Sequence, residues 1–218
     1  RTQQADLISC AYASHGDTKH VLLLPEDPRE CFEFGALAFD LADRLQTPIF
    51  VMLDLDIGMQ DWLSEPLEWD DNRRMDRGKV MTAQDLDAGR EFGRYLDADG
   101  DAITVRSLPG VHGNGAYFVR GSGHDKHGMY TEDSNAYQEV VDRPARKLKL
   151  AAKALPASEI RNVAGAEIGI VSLGGCHAAV LEAIDRLSAM GIVADYMRIK
   201  AFPFGPQVRE FLDAHTMN

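Results

Sequence analysis

The side chains best suited to chemistry are concentrated in one polar, glycine-rich segment, residues 113–133 (GNGAYFVRGSGHDKHGMYTED). His112 precedes it, and His124, Asp125 and His127 lie within it. Histidine and carboxylate can ligate a metal ion, but no pair is spaced i, i+4 on a predicted helix, and the glycines leave such a site unformed without other support. We therefore predict no metal site. We expect His124 and Asp125 to hydrogen-bond a ligand or another chain.

Two further candidates lie where a predicted strand ends. The turn SLGGC (172–176) opens a helix, and its backbone amides attract anions, although we favour the interpretation of a plain tight turn. It lacks the spacing of a dinucleotide-binding glycine motif. Asp54 and Asp56 follow another strand, where period two would place both carboxylates on one face. They are suited either to Mg²⁺ or substrate binding or to capping loop amides.

The segment SHGD (14–17) contains the residue types of a catalytic triad, but contiguous side chains point apart and cannot form one. No G-x-S-x-G sequence presents a nucleophile, so we interpret it as a hydrogen-bonded turn. Arg1, Arg106 and Arg120 are candidates for carboxylate binding, because a guanidinium donates two parallel hydrogen bonds.

The elements that position these residues form two strand–helix–strand units. In residues 20–58, two apolar runs flank a helix that begins at Asp27-Pro28 and carries a core-facing stripe. Residues 166–205 repeat the pattern, with Gly191 ending the helix and Pro206 opening another. We predict an α/β fold of two βαβ-type, parallel-sheet domains.

A long connection separates the two units and contains the polar loop. It is predicted to hold a short strand within residues 101–110 and a helix near 138–155 that is interrupted at Pro144 and ends at Pro156. The predicted segments are therefore 1–60, 61–162 and 163–218. A connection of this length usually has a function of its own.

Composition excludes several classes of function. The net charge is -11, from 34 acidic and 23 basic residues, so nucleic acids and anionic lipids are poor partners. No apolar run is long enough to span a bilayer, and we expect a cytoplasmic protein. Three widely spaced cysteines without a C-x-x-C pair predict reduced thiols and no iron–sulfur cluster in this chain.

Longer stretches of sequence resemble a known family. The segment RTQQADLISCAYASHGDTKHVLLLPEDPRECFEFGALAFDLADRLQTPIFVMLDLDIGM is similar to the alpha subunit of 2-oxoacid:ferredoxin oxidoreductases, especially the 2-oxoglutarate type. YFVRGSGHDKHGMYTED resembles that family's RGSGHDE-G-YTED segment. SLGGCHAAVLEAIDRLSAMGIVADYMRIKAFPF is similar to its following domain, which resembles the C-terminal domain of transketolases.

The resemblance implies a fold and an activity. Residues 1–60 correspond to the second half of a thiamine-diphosphate pyrimidine-binding domain, and 163–218 to the start of a transketolase C-terminal-like domain. The implied reaction is oxidative decarboxylation of a 2-oxoacid, such as 2-oxoglutarate, to an acyl-CoA with ferredoxin as electron acceptor. The implied partner is a beta subunit, which helps to bind thiamine diphosphate with Mg²⁺ and holds the iron–sulfur cluster.

The resemblance also implies roles for individual residues. Arg1 matches a position that contacts the substrate carboxylate, and His124 and Asp125 match a loop that faces the active site and the beta subunit. His15 and Asp17 match a turn near the cofactor. The family's YPITPSS segment and its activating glutamate are missing, so we expect a piece of a longer protein that is inactive alone.

Two other classes of function remain open at this point. One is a small α/β hydrolase or metal-dependent enzyme that would use His112, His124 and Asp54. The other is a non-catalytic subunit that only docks to a partner. Metal content would distinguish the first, and activity of a copurified complex would distinguish the second.

Overall fold

The first predicted unit is present as expected in the computed structural model, which describes residues 6–13, 19–119 and 121–217. Helix α1 (Asp6–Ala11) precedes strand β1 (Val21–Leu23), helix α2 (Pro28–Leu45) and strand β2 (Ile49–Val51). Strands β1 and β2 pair in parallel, with Val21 opposite Ile49. The predicted βαβ unit is confirmed.

Helix α2 begins and ends where its sequence indicates. The Asp27 side chain accepts a hydrogen bond from the Glu30 amide at 2.7 Å, and Pro28 occupies the first turn. Gln46 adopts a left-handed conformation (φ 49°) and ends the helix before Pro48. The predicted apolar stripe faces inward, with Phe34 and Leu41 buried against β1.

Helix α3 (Leu55–Met59) closes the segment 1–60, and the described part of the connection contains helices α4 (Ala83–Asp87) and α5 (Ser134–Ala151). Two predictions for this region were wrong. Helix α5 runs through Pro144 without a break, because packing of Leu148 and Ala151 on the core compensates for the one backbone hydrogen bond that proline removes. The strand expected within residues 101–110 is only an isolated bridge between Val80 and Arg106, because no neighbouring strand extends the pairing.

The second predicted unit follows, with one strand more than expected. Strand β4 (Ile168–Ser172), helix α6 (His177–Ala189) and strand β5 (Ala194–Arg198) form the predicted parallel unit. Gly191 ends α6 at φ 77°, as the sequence indicated. Strand β3 (Glu159–Arg161) adds an antiparallel edge beside β5, so the sheet order is β3-β5-β4.

The two units share a sheet. Strand β6 (Ala201–Phe202) leaves the second unit and pairs antiparallel with β1, which gives the order β2-β1-β6. Helix α7 (Pro206–Ala214) follows and begins at Pro206 as predicted. Among the described residues, no helix is both long and apolar enough to cross a membrane.

Strand β1 lies at the centre of the core because both of its faces are covered. Val21 and Leu23 pack with α2 and α5 on one face. Leu22 and Leu24 pack on the other with Met197 of β5 and Phe211 of α7. Each such buried side chain contributes about 1.5–3 kcal/mol. This two-sided burial fixes the second unit against the first.

Candidate functional site

The two units meet at the carboxyl ends of their parallel strands. The loop after β1 carries Glu26, and the chain after β2 carries Asp54. The turn after β4 leads to His177, and β5 ends at Arg198. Ligands of open α/β sheets gather at this edge of the strands. We refer to these residues and their direct partners as the junction.

Asp54 connects the two units directly. Its Oδ2 accepts a hydrogen bond from the Gly175 amide at 2.6 Å, while Oδ1 accepts one from Ile57 at 2.9 Å and caps α3. Gly174 has φ 68°, and a Cβ atom there would lie 2.7 Å from the Asp54 carboxylate. The anion that this turn attracts is therefore a side chain of the same protein. Since α3 begins at Leu55, the expectation that Asp54 and Asp56 share one face of a strand was wrong.

A buried arginine forms the centre of the junction. The side chain of Arg198 is only 1% exposed, and its guanidinium makes two hydrogen bonds to Glu30, of 2.8 and 2.9 Å. The same group lies 3.3 Å from Glu26 and 3.4 Å from Glu159. Lys200 contacts Glu30 at 2.5 Å. Three carboxylates and two cations from both units therefore form one ion-pair network.

The network shifts the pKa values of Glu26 and Glu30 in opposite directions. Burial alone would raise the pKa of Glu30, but hydrogen bonds from Arg198 and Lys200 outweigh burial and hold it below its ordinary value. Burial raises the pKa of Glu26, and the nearby Glu30 carboxylate raises it further, despite Arg198. Glu26 Oε2 is buried, and no hydrogen bond to it is found among the described residues. Glu30 is thus firmly ionised, whereas Glu26 takes up a proton more readily.

A chain of hydroxyl and imidazole groups ends at this carboxylate. Ser172 Oγ lies 2.7 Å from the Tyr196 hydroxyl, which lies 2.8 Å from His177 Nδ1. His177 Nε2 lies 3.4 Å from Glu26 Oε2. Burial, with the charge of Arg198, lowers the pKa of His177, so the imidazole is neutral near pH 7. Ser172, Tyr196 and His177 are thus joined by hydrogen bonds, whereas His177 approaches the Glu26 carboxylate without one.

Within the described part of the chain, two groups bring three possible metal ligands within 4.8 Å of one another. One is Glu26, Glu159 and His177, and the other is Asp97, Asp99 and Asp101. In each group a side chain already supplies the positive charge, from Arg198 in the first and from Lys79, 2.7 Å from both Asp99 and Asp101, in the second. These groups are therefore salt-bridge clusters.

The polar loop is organised by Asp125. Its Oδ1 accepts hydrogen bonds of 2.9 Å from the amides of His127 and Met129. Although burial works in the opposite direction, these amides lower the pKa of Asp125, which is therefore ionised at neutral pH. The ring of His124 stacks on Tyr95 with 4.0 Å between centroids. These backbone hydrogen bonds and the contact with Tyr95 help to hold the shape of the loop.

The other histidines of this region have separate local partners. His112 Nδ1 accepts a hydrogen bond from Asn114, and its Nε2 lies 3.1 Å from Asp87. His127 lies 3.7 Å from Glu91. Neither histidine, nor His124, belongs to a described group with converging metal ligands. A metal enzyme built on His112, His124 and Asp54 therefore gains no support from this geometry.

Arg1, His15, Asp17 and Arg120 lie outside the described residues. Arg106 is placed, but it pairs with Asp43 at 3.1 Å and donates to the Arg77 carbonyl, which is a structural role.

Comparison with known proteins identifies the relatives of this chain. No family model matches it. The alpha subunit of 2-oxoacid:ferredoxin oxidoreductase 2 from Aeropyrum pernix is 29% identical over 98% of this chain, which spans 33% of that protein. The chain is similar to 2-oxoacid:ferredoxin oxidoreductase alpha subunits over nearly its whole length. The 2-oxoglutarate synthase subunit KorA from Methanocaldococcus jannaschii is 25% identical over 97% of the chain and 54% of its own length. The resemblance seen in the sequence motifs is confirmed.

A solved structure has the same fold. The 2-oxoglutarate:ferredoxin oxidoreductase from Magnetococcus marinus, with 2-oxoglutarate, coenzyme A and succinyl-CoA bound, matches 98% of this chain. The TM-score is 0.83 and the sequence identity is 22%. The chain covers 36% of that structure's chain. The predicted α/β fold class is confirmed. This chain spans about a third to a half of the length of these relatives.

Sequence reasoning missed the Arg198 network entirely. The available signal was a single arginine in the otherwise mostly apolar strand sequence IVADYMRI (192–199), together with two glutamates around the start of α2. A fully buried arginine is generally paired with a carboxylate. The sequence does not indicate which of the 34 acidic residues supplies it.

Proposed function

We propose that this chain is part of the alpha subunit of an enzyme that oxidatively decarboxylates a 2-oxoacid to an acyl-CoA, with ferredoxin as electron acceptor. The observation that carries the proposal is the match of 2-oxoacid:ferredoxin oxidoreductase alpha subunits over nearly the whole chain. We propose 2-oxoglutarate as the substrate, because several relatives are named 2-oxoglutarate synthase subunits. A cytoplasmic location fits such an enzyme.

The thiamine diphosphate that the family implies does not fit the described residues alone. A diphosphate with Mg²⁺ needs free oxygen ligands, but the converging carboxylates are neutralised by Arg198 or Lys79. Asp54 is bonded to the Gly175 and Ile57 amides. We propose that a beta subunit and further parts of an alpha subunit supply the groups that complete the cofactor site, and we expect the chain alone to be inactive.

Positioning roles remain for this chain. We assign Arg1 to the 2-oxoacid carboxylate, because a guanidinium pairs with that group through two parallel hydrogen bonds and fixes its orientation. His15 and Asp17 are assigned to the cofactor side of the site. His124 and Asp125 are assigned to the loop that meets the active site and the beta subunit. Support comes from the turn at Asp125, whose backbone is held by two hydrogen bonds to that carboxylate.

The buried junction supports the proposed active site by holding the two strand–helix–strand units in a fixed arrangement. Glu26 and Glu30 belong to the first unit, and Arg198 and Glu159 belong to the second. Movement between the units would break the hydrogen bonds to a fully buried guanidinium. A misplacement of about 1 Å can reduce turnover about a hundredfold, so a rigid connection favours catalysis.

The test is an activity assay on the protein purified in its native form with its partners. We expect reduction of ferredoxin, or of a low-potential dye, that depends on both a 2-oxoacid and coenzyme A, and is faster with 2-oxoglutarate than with pyruvate. Faster turnover of pyruvate would overturn the substrate assignment only. Absence of reduction with every 2-oxoacid, in a preparation that contains the beta subunit and its cofactors, would overturn the proposed function.

A further inference from the structure

A pocket of about 320 Å³ lies at the opposite edge of the first sheet from the junction. It is formed by the residues that precede β1 and β2, the end of α2 and the middle of α5. Its volume is near the lower end of the range of about 300–1,000 Å³ that is common for small-molecule sites. The lining residues used below are Lys19, Val21, Gln46, Arg143, Lys147 and Leu148.

The charge of this pocket is opposite to that of the protein. Its described lining contains Lys19, Arg143 and Lys147 and no aspartate or glutamate, although the protein has a net charge of -11. Lys147 Nζ donates to the Gln46 carbonyl at 3.1 Å, and Arg143 donates to the Ala102 carbonyl at 2.9 Å. Both partners are uncharged. Within the described residues, neither cation has a carboxylate within 4 Å.

The surroundings of these two cations make their charges costly. Burial and the neighbouring charges of Arg143 and Arg94 lower the pKa of Lys147 to about 8. Burial, followed by the charge of Arg94, also lowers the pKa of Arg143, although Asp97 and Tyr95 act in the opposite direction. Asp97 already accepts hydrogen bonds from the Gly100 and Ala102 amides.

One donor of this cluster lacks a partner. Arg143 Nε is buried, and no hydrogen bond from it is found among the described residues. A buried donor without an acceptor costs free energy, and so do adjacent buried cations. An anion in the pocket would relieve both costs together.

We propose that this pocket binds a small oxyanion of the phosphate class, either inorganic phosphate or a phosphate ester. The Lys147 ammonium and the Arg143 guanidinium contact its oxygens, and Lys19 supplies a third positive charge. A dianion matches two adjacent cations better than a monocarboxylate does. The apolar wall at Val21 and Leu148 suits the organic part of an ester. The site is separate from the junction and does not depend on the proposed function.

The first test measures phosphate binding to the natively purified protein by isothermal titration calorimetry at pH 7. The variant Lys147→Met keeps the length of the side chain and removes its charge, and the control Lys149→Met changes an exposed lysine of the same helix. We expect the wild type and Lys149→Met to bind phosphate, and Lys147→Met to bind it at least about tenfold more weakly. Equal affinity in the Lys147→Met variant, or no phosphate binding to the wild type, would overturn the proposal.

A second test uses only the wild type, so it does not depend on the folding of a variant. The protein is treated with an amine-acetylating reagent, and modification of each lysine is followed by mass spectrometry. Phosphate should slow acetylation of Lys147 but not of Lys149, whereas chloride at the same ionic strength should slow neither. No protection of Lys147 would contradict the proposal. Running the assay with glycerol phosphate distinguishes the two ligands: stronger protection than by phosphate indicates an ester, and weaker protection indicates the free ion.

Discussion

Removing the guanidinium of Arg198 should destabilise the protein more than any surface charge change. The variant Arg198→Met keeps most of the apolar stem but removes the cation shared by Glu26, Glu30 and Glu159. Within the described residues, Lys200 then pairs only with Glu30, and Arg161 only with Glu159. Breaking a buried ion pair from one side costs about 3–5 kcal/mol. For a chain of this size, each kcal/mol lowers the midpoint of thermal unfolding by about 2–4 °C. We therefore expect a decrease of about 6–20 °C at pH 7.

The pH dependence of this loss separates electrostatics from simple packing. In the wild type, the pKa of Glu30 is lowered, so its stabilising contribution is present above the unfolded pKa of about 4.3 and is lost as the pH falls through the lower folded pKa. In Arg198→Met the carboxyl groups lose that compensation and their pKa values rise. Protonation then removes the uncompensated charge. The difference in stability between wild type and variant should therefore narrow from pH 7 towards pH 4.

The assay is urea or thermal unfolding followed by circular dichroism at several pH values. The control is Arg186→Met, because Arg186 forms an exposed pair with Glu182 on the surface of α6, with 76% of its side chain accessible. Exposed pairs contribute about 0–1 kcal/mol. If Arg198→Met loses no more stability than Arg186→Met, or if its loss of stability is the same at pH 4 and pH 7, the network does not hold the two units together as described.

Three further predictions concern the junction and the polar loop. In chemical denaturation, Gly174→Ala should destabilise the protein by about 1–3 kcal/mol more than the control Gly191→Ala. Both positions have positive φ, but only Gly174 lies against the Asp54 carboxylate. Equal losses of stability in the two variants would refute the close contact. His177 should titrate below the ordinary histidine pKa of about 6.5 in an NMR pH titration, and a normal or raised value would contradict its buried place beside Arg198. Asp125→Ala should lower turnover and beta-subunit association by about tenfold, because two amides lose their acceptor. Asp125→Asn keeps an acceptor oxygen and should retain most of both. Unchanged turnover and association in Asp125→Ala would remove the proposed role of this loop.

Local signals in the sequence predicted the two parallel units well. The apolar run before Pro25, the Asp27-Pro28 helix start and the inward stripe of α2 each depend on neighbouring residues, and all three agree with the structure. The turn at Gly174 and the helix end at Gly191 were found for the same reason. Glycine was required there because both positions have positive φ.

Features that depend on distant partners were not predictable in the same way. Strands β3 and β6 have three and two residues, and their pairing is decided by β5 and β1 rather than by their own pattern. Arg198 and Glu30 are 168 positions apart, and Asp54 and Gly175 are 121 apart. No periodicity links residues over such distances. Helix α5 continued through Pro144 because tertiary packing outweighed a local preference.

The site itself was anticipated in part. The turn at residues 172–176 and the carboxylate of Asp54 were both singled out, but as separate candidates. The structure joins them by the hydrogen bond from Gly175. The buried position of Arg198 could not be inferred from composition, since the chain contains 23 lysines and arginines of which most are exposed or half-buried.

The measurement that tests the central claim most directly follows the carboxyl carbon of the substrate. The natively purified protein with its partners is supplied with 2-oxoglutarate labelled in its C1 carboxyl group, coenzyme A and oxidised ferredoxin. We predict labelled carbon dioxide and an acyl-CoA in equal amounts, with two electrons delivered to ferredoxin for each, and no continuing release of carbon dioxide when coenzyme A and ferredoxin are both left out. Carbon dioxide release without acyl-CoA or reduced ferredoxin, or no release from any 2-oxoacid, would contradict the account.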